Sequence, residues 1–349
     1  MFDPNVLLRA HLQKLVPYSS ARDDYKGSKG VFLDANENPI GSITKENWNR
    51  YPDPYQYDLK AKIAQIKGVK AENIFLGNGS DEPIDLLLRA FCEPIKDNII
   101  INPPTYGMYK VSADINNVEV REALLTAYYD LDLASIEAKI DGNSKLLFIC
   151  SPNNPTGNDV SLVKIEEVIK SFKGIVIVDE AYVDFTSRES FVHKLDQYPN
   201  LLVLQTFSKA WGLASLRLGM AFASKEILAI LNRIKAPYNL SGLIQRTVIE
   251  ALDNVQAKDQ MVAQILANRE ILGKALAENL KIKTICPTDA NFFLVKMDNA
   301  SAVYQALIAK KIITRDRSKV ALCEGGIRIT VGTEKENEML IEALKTVLN

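Results

Sequence analysis

Between about residue 70 and residue 240 the chain alternates short, unbroken apolar runs with longer segments whose apolar residues recur at helical spacing. The runs are Ile74-Phe75-Leu76, Ile99-Ile100-Ile101, Leu146-Leu147-Phe148-Ile149-Cys150, Ile175-Val176-Ile177-Val178 and residues 201–204. Ile84, Leu87, Leu88 and Phe91, then Ile165, Val168 and Ile169, mark helical stripes between them. A strand that is apolar at every position has to be buried on both faces, which happens when helices cover both sides of a sheet. The pattern therefore implies an α/β domain built on a mostly parallel sheet. Ligands of such sheets sit beyond the carboxyl ends of the strands. Polar clusters follow these runs, so the clusters are expected to converge on one rim.

The rest of the chain is organised differently. Residues 240–280 read as a long helical region whose polar middle, 253–260, is a candidate connection between helices. Strands at 291–297 and 327–331 then alternate with helices at 302–309 and 336–348, the pattern of a smaller α+β domain. Upstream, residues 7–15 suggest a short amphipathic helix, 21–30 a polar stretch, and Val31-Phe32-Leu33 a short strand. The expected division is an N-terminal arm with part of the smaller domain (1–40), a large α/β domain (41–240), and a linking helix with a C-terminal small domain (241–349). A chain of 349 residues is long enough for both.

Several classes of function are disfavoured by composition. Lys and Arg number 42 against 43 Asp and Glu, a net charge of −1 without a basic patch, which points away from nucleic acid. No apolar run approaches the ~18 residues of a membrane span. Residues 1–10 carry Asp3 and Arg9 where a secretory leader would be apolar. Cys92, Cys150, Cys286 and Cys323 are far apart and read as buried thiols in a reducing, cytoplasmic setting. With only His11 and His193, both expected at the surface, a histidine-rich metal centre is not expected.

Chemistry concentrates where the apolar run 201–204 ends. Gln205-Thr206-Phe207-Ser208-Lys209-Ala210-Trp211 places a lysine between hydroxyls, and Arg217 follows eight residues on. A lysine can condense with an aldehyde, while the hydroxyls and the arginine can hold a phosphate beside it; pyridoxal phosphate needs that combination. Gly77-Asn78-Gly79-Ser80-Asp81-Glu82 opens a helix after a strand, where free backbone N–H groups bind anions. It is neither a dinucleotide fingerprint nor a Walker loop, and Ser80 could equally serve as a helix cap. Ser151-Pro152-Asn153-Asn154-Pro155-Thr156-Gly157 is a rigid turn whose two amides could orient a ligand oxygen. Asp179-Glu180-Ala181-Tyr182 ends a strand with a carboxylate that could keep a pyridine nitrogen protonated, and a tyrosine within reach of a ring oxygen.

Taken together these segments resemble the fold-type I pyridoxal-phosphate-dependent aminotransferases over nearly the whole chain. Within that group they are most similar to the histidinol-phosphate aminotransferases. Leu33-Asp34-Ala35-Asn36-Glu37-Asn38-Pro39, Arg50-Tyr51-Pro52-Asp53, Pro103-Pro104-Thr105-Tyr106-Gly107-Met108-Tyr109 and Arg328-Ile329-Thr330-Val331-Gly332-Thr333 complete the match. The resemblance implies a homodimer that moves nitrogen between L-histidinol phosphate and 2-oxoglutarate. It implies that Lys209 links to the cofactor, that Asp179 pairs with its ring nitrogen, that Asn154 and Tyr182 bond its ring oxygen, and that Tyr106 stacks on the ring. It gives the cofactor phosphate to the Ser80 and Asp81 backbone, Ser208, Arg217 and a Tyr51 reaching over from the second subunit. Arg328 is implied as the anchor of the substrate anion, with Tyr18, Asn36 and Arg315 as further substrate contacts. The match is looser at 77–80, which leaves open which amides hold the phosphate. Sister activities that fit the same residues are an aromatic or broad-range aminotransferase and a threonine-phosphate decarboxylase; a non-catalytic cofactor-binding module is the alternative of another class.

Overall fold

The computed structural model describes residues 2–18 and 30–348. Seven strands form one sheet: β1 (Ile74–Asn78), β2 (Asn98–Ile101), β3 (Glu119–Glu122), β4 (Ser144–Cys150), β5 (Ile175–Asp179), β6 (Leu201–Thr206) and β7 (Leu218–Ala223). Their order across the sheet is β1-β7-β6-β5-β4-β2-β3. The strands from β6 to β3 in that order pair in parallel, whereas β7 runs antiparallel to both β6 and β1.

Burial on both faces explains the unbroken apolar runs. Along the central strands alternate side chains enter two different cores. Leu147, Val176, Val178 and Val203 join one, with Leu59 and Ile63 of α1 (Tyr57–Lys67) and Ile165 and Val168 packed on them. Leu146, Ile175, Ile177 and Leu202 join the other, beneath Ile84 and Leu87 of α2 (Asp81–Phe91). Each such side chain taken from water contributes about 1.5–3 kcal/mol. Helices α3 (Met108–Ile115), α4 (Leu133–Glu137), α5 (Leu162–Ser171) and α6 (Lys225–Ile234) complete this part; α5 carries Ile165 and Val168.

Two strands carry no apolar-run signal. β3 is an exposed edge, Glu119-Val120-Arg121-Glu122, in which Arg121 pairs with Glu119 and Asp141. β7 follows a loop, 207–217, that contains only a 3-10 turn at Ala214–Leu216. A parallel neighbour would require a crossover helix, so the chain turns straight back.

The second sheet has four antiparallel strands, β8 (Ile282–Ile285), β9 (Phe292–Met297), β10 (Arg315–Asp316) and β11 (Gly326–Thr330), in the order β10-β11-β9-β8. Among the remaining helices, α7 (Gly242–Ala251), α8 (Val255–Ala277), α9 (Ala300–Ala309) and α10 (Glu334–Val347), the last three bury Leu272, Leu307 and Leu344 against it. Helix α10 starts on a capping box in which Thr333 and Glu336 satisfy each other's backbone N–H.

Three expectations differ from the fold. The polar stretch 253–260 is not a connection as a whole: only the 3-10 turn Leu252–Asn254 separates α7 from α8, and the polar residues beyond it lie on the solvent face of α8. Val31 and Leu33 project from the surface at 89% and 86% exposure and pair with no strand among the described residues. Residues 7–15 form no amphipathic α-helix; 3-10 turns at Pro4–Val6 and Ala10–Lys14 instead press Leu8 into the core beside α2. The polar stretch 21–30 lies, but for Gly30, outside the described residues. All four cysteines are free and buried, and both histidines are exposed. No helix among the described residues is long and apolar enough to cross a membrane.

Candidate active site

At the carboxyl ends of the parallel strands, where the small sheet leans over the large one, lies a cavity of about 390 Å³. Its floor is built by the start of α2. Gly79 sits at φ +69 beside a backbone bridge to Leu218, and its N–H donates to the Arg217 carbonyl at 2.7 Å. A Cβ on Gly79 would meet the Arg217 guanidinium at 2.9 Å, and one on Gly219 would lie 2.2 Å from the Ser80 nitrogen. Glycine at both places lets two backbones and one guanidinium converge. Ser80 does not cap the helix with its side chain, so the first-turn N–H groups of α2 keep their capacity for an anion. Arg217, in a left-handed backbone conformation, holds Asp81 at 3.6 Å. That pair is about half exposed, so it is worth no more than about 1 kcal/mol and exchanges readily for a better anion.

Lys209 leaves β6 on the same rim, its amine 5.5 Å from the Tyr182 ring centre. The cavity walls, then Arg328, hold its pKa below the ordinary lysine value, with Arg217 adding to the effect and Asp179 opposing it. Asp179 ends β5 and is buried. Burial pushes its carboxyl up to about 6, against hydrogen bonds from the Tyr109 hydroxyl at 2.6 Å and the Ala181 N–H at 3.0 Å. A carboxylate so braced, with no ion-pair partner among the described residues, is a site for a positively charged partner. Tyr182 is buried, which raises its hydroxyl pKa, and it accepts from Asn154 at 3.4 Å. Asn154 in turn accepts from Arg328 at 2.5 Å. Tyr106 donates to Asp81 at 3.1 Å and meets Tyr109 edge-on.

Most of the residues singled out from sequence meet in this cavity: Ser80, Asp81, Tyr106, Asn154, Asp179 and Tyr182, and across from them Ser208, Lys209, Arg217, Arg315 and Arg328. Of the two adjacent asparagines only Asn154 reaches it. Asn153 is buried in the turn itself, donating to the Pro104 carbonyl at 2.8 Å and to Thr156. Tyr51, Tyr18 and Asn36 lie elsewhere. Tyr51 stacks on Tyr238 at 4.5 Å and shares a groove with Asn36, while Tyr18 lines a separate hollow near His11.

Other residues gained no role from sequence. Tyr109, in the first turn of α3 and three residues after Tyr106, braces Asp179; its place in the same Tyr106-Gly107-Met108-Tyr109 stretch was the available signal. Arg317, two residues after Arg315 and just past the end of β10, also lines the cavity. Glu180, next to Asp179, points the other way into a buried network with Arg188, Ser190 and Gln205. Arg188 also binds Asp159 at 2.7 Å, which anchors the segment behind the site.

The sequence profile of the aminotransferases of class I and II matches residues 23–344, and the chain belongs to that family. A histidinol-phosphate aminotransferase of Cytophaga hutchinsonii is 55% identical over 99% of both chains. Among solved structures, the histidinol-phosphate aminotransferase from Clostridium acetobutylicum superposes with a TM-score of 0.80 at 27% identity, covering 86% of this chain and 91% of that one. The Sinorhizobium meliloti enzyme of that name, in complex with pyridoxal-5'-phosphate, shares the fold at a TM-score of 0.80, 21% identity and 97% coverage of each chain. The cavity of this chain fits the pyridoxal-5'-phosphate that the Sinorhizobium meliloti structure contains. The uncapped helix start and Arg217 suit its phosphate, and the buried Asp179 suits its ring nitrogen.

Proposed function

We propose that this chain exchanges an amino group between L-histidinol phosphate and 2-oxoglutarate, giving imidazole-acetol phosphate and L-glutamate. The observation that carries the reading is one cavity holding a lysine of lowered pKa, a buried carboxylate braced by Tyr109, and a phosphate cradle without a capping side chain. The names of full-length relatives support the choice of substrate. Bound pyridoxal phosphate would supply a covalent anchor for the substrate nitrogen and a sink for the electron pair left on its α-carbon.

The remaining work falls to side chains. Lys209 Nζ would take up and return the proton at the substrate α-carbon, which requires the neutral amine, and burial followed by the Arg328 guanidinium lowers its pKa in the direction that favours that form. Asp179 would hold the ring-nitrogen proton in place by charge. Asn154 and Tyr182 would orient the ring oxygen, and Tyr106 would stack on the ring. Ser208, Arg217 and the backbone of Ser80 and Asp81 would hold the phosphate. Arg328 forks onto the substrate's phosphate or carboxylate, since a guanidinium fits both, with Arg315 beside it. Residues 41–240 serve as the cofactor-binding unit and 241–349 as the smaller substrate-side unit.

A substrate panel tests this. With 2-oxoglutarate as acceptor, histidinol phosphate should exceed phenylalanine, tyrosine and aspartate in kcat/KM by at least about 100-fold, the discrimination that a site built for a charged, hydrogen-bonding group provides. A preference for the aromatic amino acids would overturn the substrate assignment, and carbon dioxide release from O-phosphothreonine would replace it with a decarboxylase.

The working form is a homodimer in which Tyr51 reaches the partner's cavity. In one chain Tyr51 is 50% exposed, outside the cavity, in a groove that it shares with the exposed Trp48 and Leu243, apolar surface of the sort that marks an interface. Light scattering should give twice the chain mass of 38.9 kDa; a monomer with full activity would contradict the role of Tyr51. The four free, buried thiols fit a cytoplasmic enzyme.

A further inference from the structure

We propose that Arg317 is a specificity-determining residue: with Arg315 and Arg328 it forms a three-guanidinium face that selects a doubly charged phosphate over a singly charged carboxylate on the substrate. The inference rests on the reading of the cavity given above and adds to it which residue reads the charge.

The register of the small sheet makes the case. Arg315 of β10 lies directly opposite Arg328 of β11. Like charges facing each other across a strand pair are destabilising unless an anion lies between them. Arg317 follows Arg315 by two residues, just past the end of β10, and its backbone is held to the start of β11 by a 2.8 Å hydrogen bond from its N–H to the Gly326 carbonyl. All three line the cavity. Arg317 Nε is buried and makes no hydrogen bond among the described residues. None of the three forms an ion pair among the described residues, and the hydrogen bond that Arg328 makes is to the neutral Asn154 amide.

The acid nearest in sequence is turned away. Asp316 sits between the two arginines on the opposite face, where it accepts from the Ser301 hydroxyl and the Ser318 N–H. Burial followed by the neighbouring guanidiniums holds the Arg317 pKa below the ordinary arginine value, the sign of positive charge without compensation. Across the cavity as a whole, the cations Lys209, Arg217, Arg315, Arg317 and Arg328 face the carboxylates Asp81 and Asp179. Arg217 and Asp179 would be taken up by the cofactor's phosphate and ring nitrogen. The substrate side is left with three positive charges. A carboxylate can fork onto Arg328 alone; a phosphate dianion has the charge and the oxygens for a further guanidinium.

Binding to the cofactor-loaded protein reads this without turnover. Propyl phosphate and butyrate serve as probes of matched length in titration calorimetry. Arg317→Gln should weaken propyl phosphate by about 10–100-fold, the loss of one charge-assisted contact, and change butyrate by less than about threefold, as expected of a group that the carboxylate does not touch. Arg317→Lys, which keeps the charge but loses the fork, should weaken propyl phosphate by only about fivefold. Equal losses for both probes, or no loss for phosphate, in either folded variant would overturn the proposal; melting temperature and the bound cofactor's absorbance show that each variant is folded and loaded. Failure of the wild-type protein to turn over histidinol phosphate would overturn the functional reading instead, whatever the two probes do.

Discussion

Replacing Lys209 by alanine should lower transamination by about 10⁴-fold or more, the upper end of what loss of a positioned general base costs. The loss belongs in kcat, because the proposed anchors of the substrate anion, Arg328 and its neighbours, are left in the cavity. Arg217, Ser80 and Asp179 remain to hold the cofactor, so the variant should still bind it non-covalently. Lys209→Arg is the informative companion. It keeps the positive charge next to Tyr182, yet a guanidinium is never neutral in a protein and cannot accept the proton, so it should be as inactive as the alanine variant. Stopped assays of both half-reactions check the two together. Near wild-type turnover by either variant would remove Lys209 from the chemistry.

Asp179→Asn should separate stability from activity. In the wild-type protein without cofactor the folded carboxyl titrates at about 6 against an ordinary 3.8. The folded state therefore binds more protons than the unfolded state between those values, and stability falls as pH rises through that window. The shift corresponds to something on the order of 3 kcal/mol at neutral pH. The asparagine variant lacks the titrating group and escapes this decline. Without cofactor it should melt above the wild-type protein at pH 7 and level with it or below at pH 4. With cofactor the order reverses, because the ring nitrogen's positive charge offsets the buried carboxylate only when the carboxylate is there. Activity should fall by about 10²–10³-fold, the effect of breaking a buried ion pair expressed as a rate. Melting curves at the two pH values, with and without cofactor, supply the comparison. A wild-type apoprotein as stable at pH 7 as at pH 4, relative to the variant, would contradict the account of Asp179.

The central sheet was legible because its strands are buried twice over: no polar residue interrupts Ile175-Val176-Ile177-Val178, and the structure splits that run between two cores. β7 was hidden because the loop before it, which sends Ser208, Lys209 and Arg217 into the cavity, stands where a crossover helix would otherwise announce the next strand. β3 was hidden because an edge strand satisfies its charges locally, as Arg121 does with Glu119. Among the site residues, those at strand ends could be placed from one chain's sequence. Tyr51 and Asn36 could not, since a single chain carries them on a different surface. Arg317 escaped notice for another reason: β10 is a two-residue strand, Arg315–Asp316, too short to declare itself in the sequence, and Arg317 lies just past its end. Tyr109 was visible only as part of a motif, because its role is to brace Asp179 at 2.6 Å rather than to meet a ligand.

The most direct test is to load the protein with pyridoxal phosphate, reduce it with borohydride and map the labelled peptide. The label is expected on the nitrogen of Lys209 and to vanish in Lys209→Ala. A label on any other lysine, or a loaded and active protein that takes up none, would contradict the assignment of this cavity.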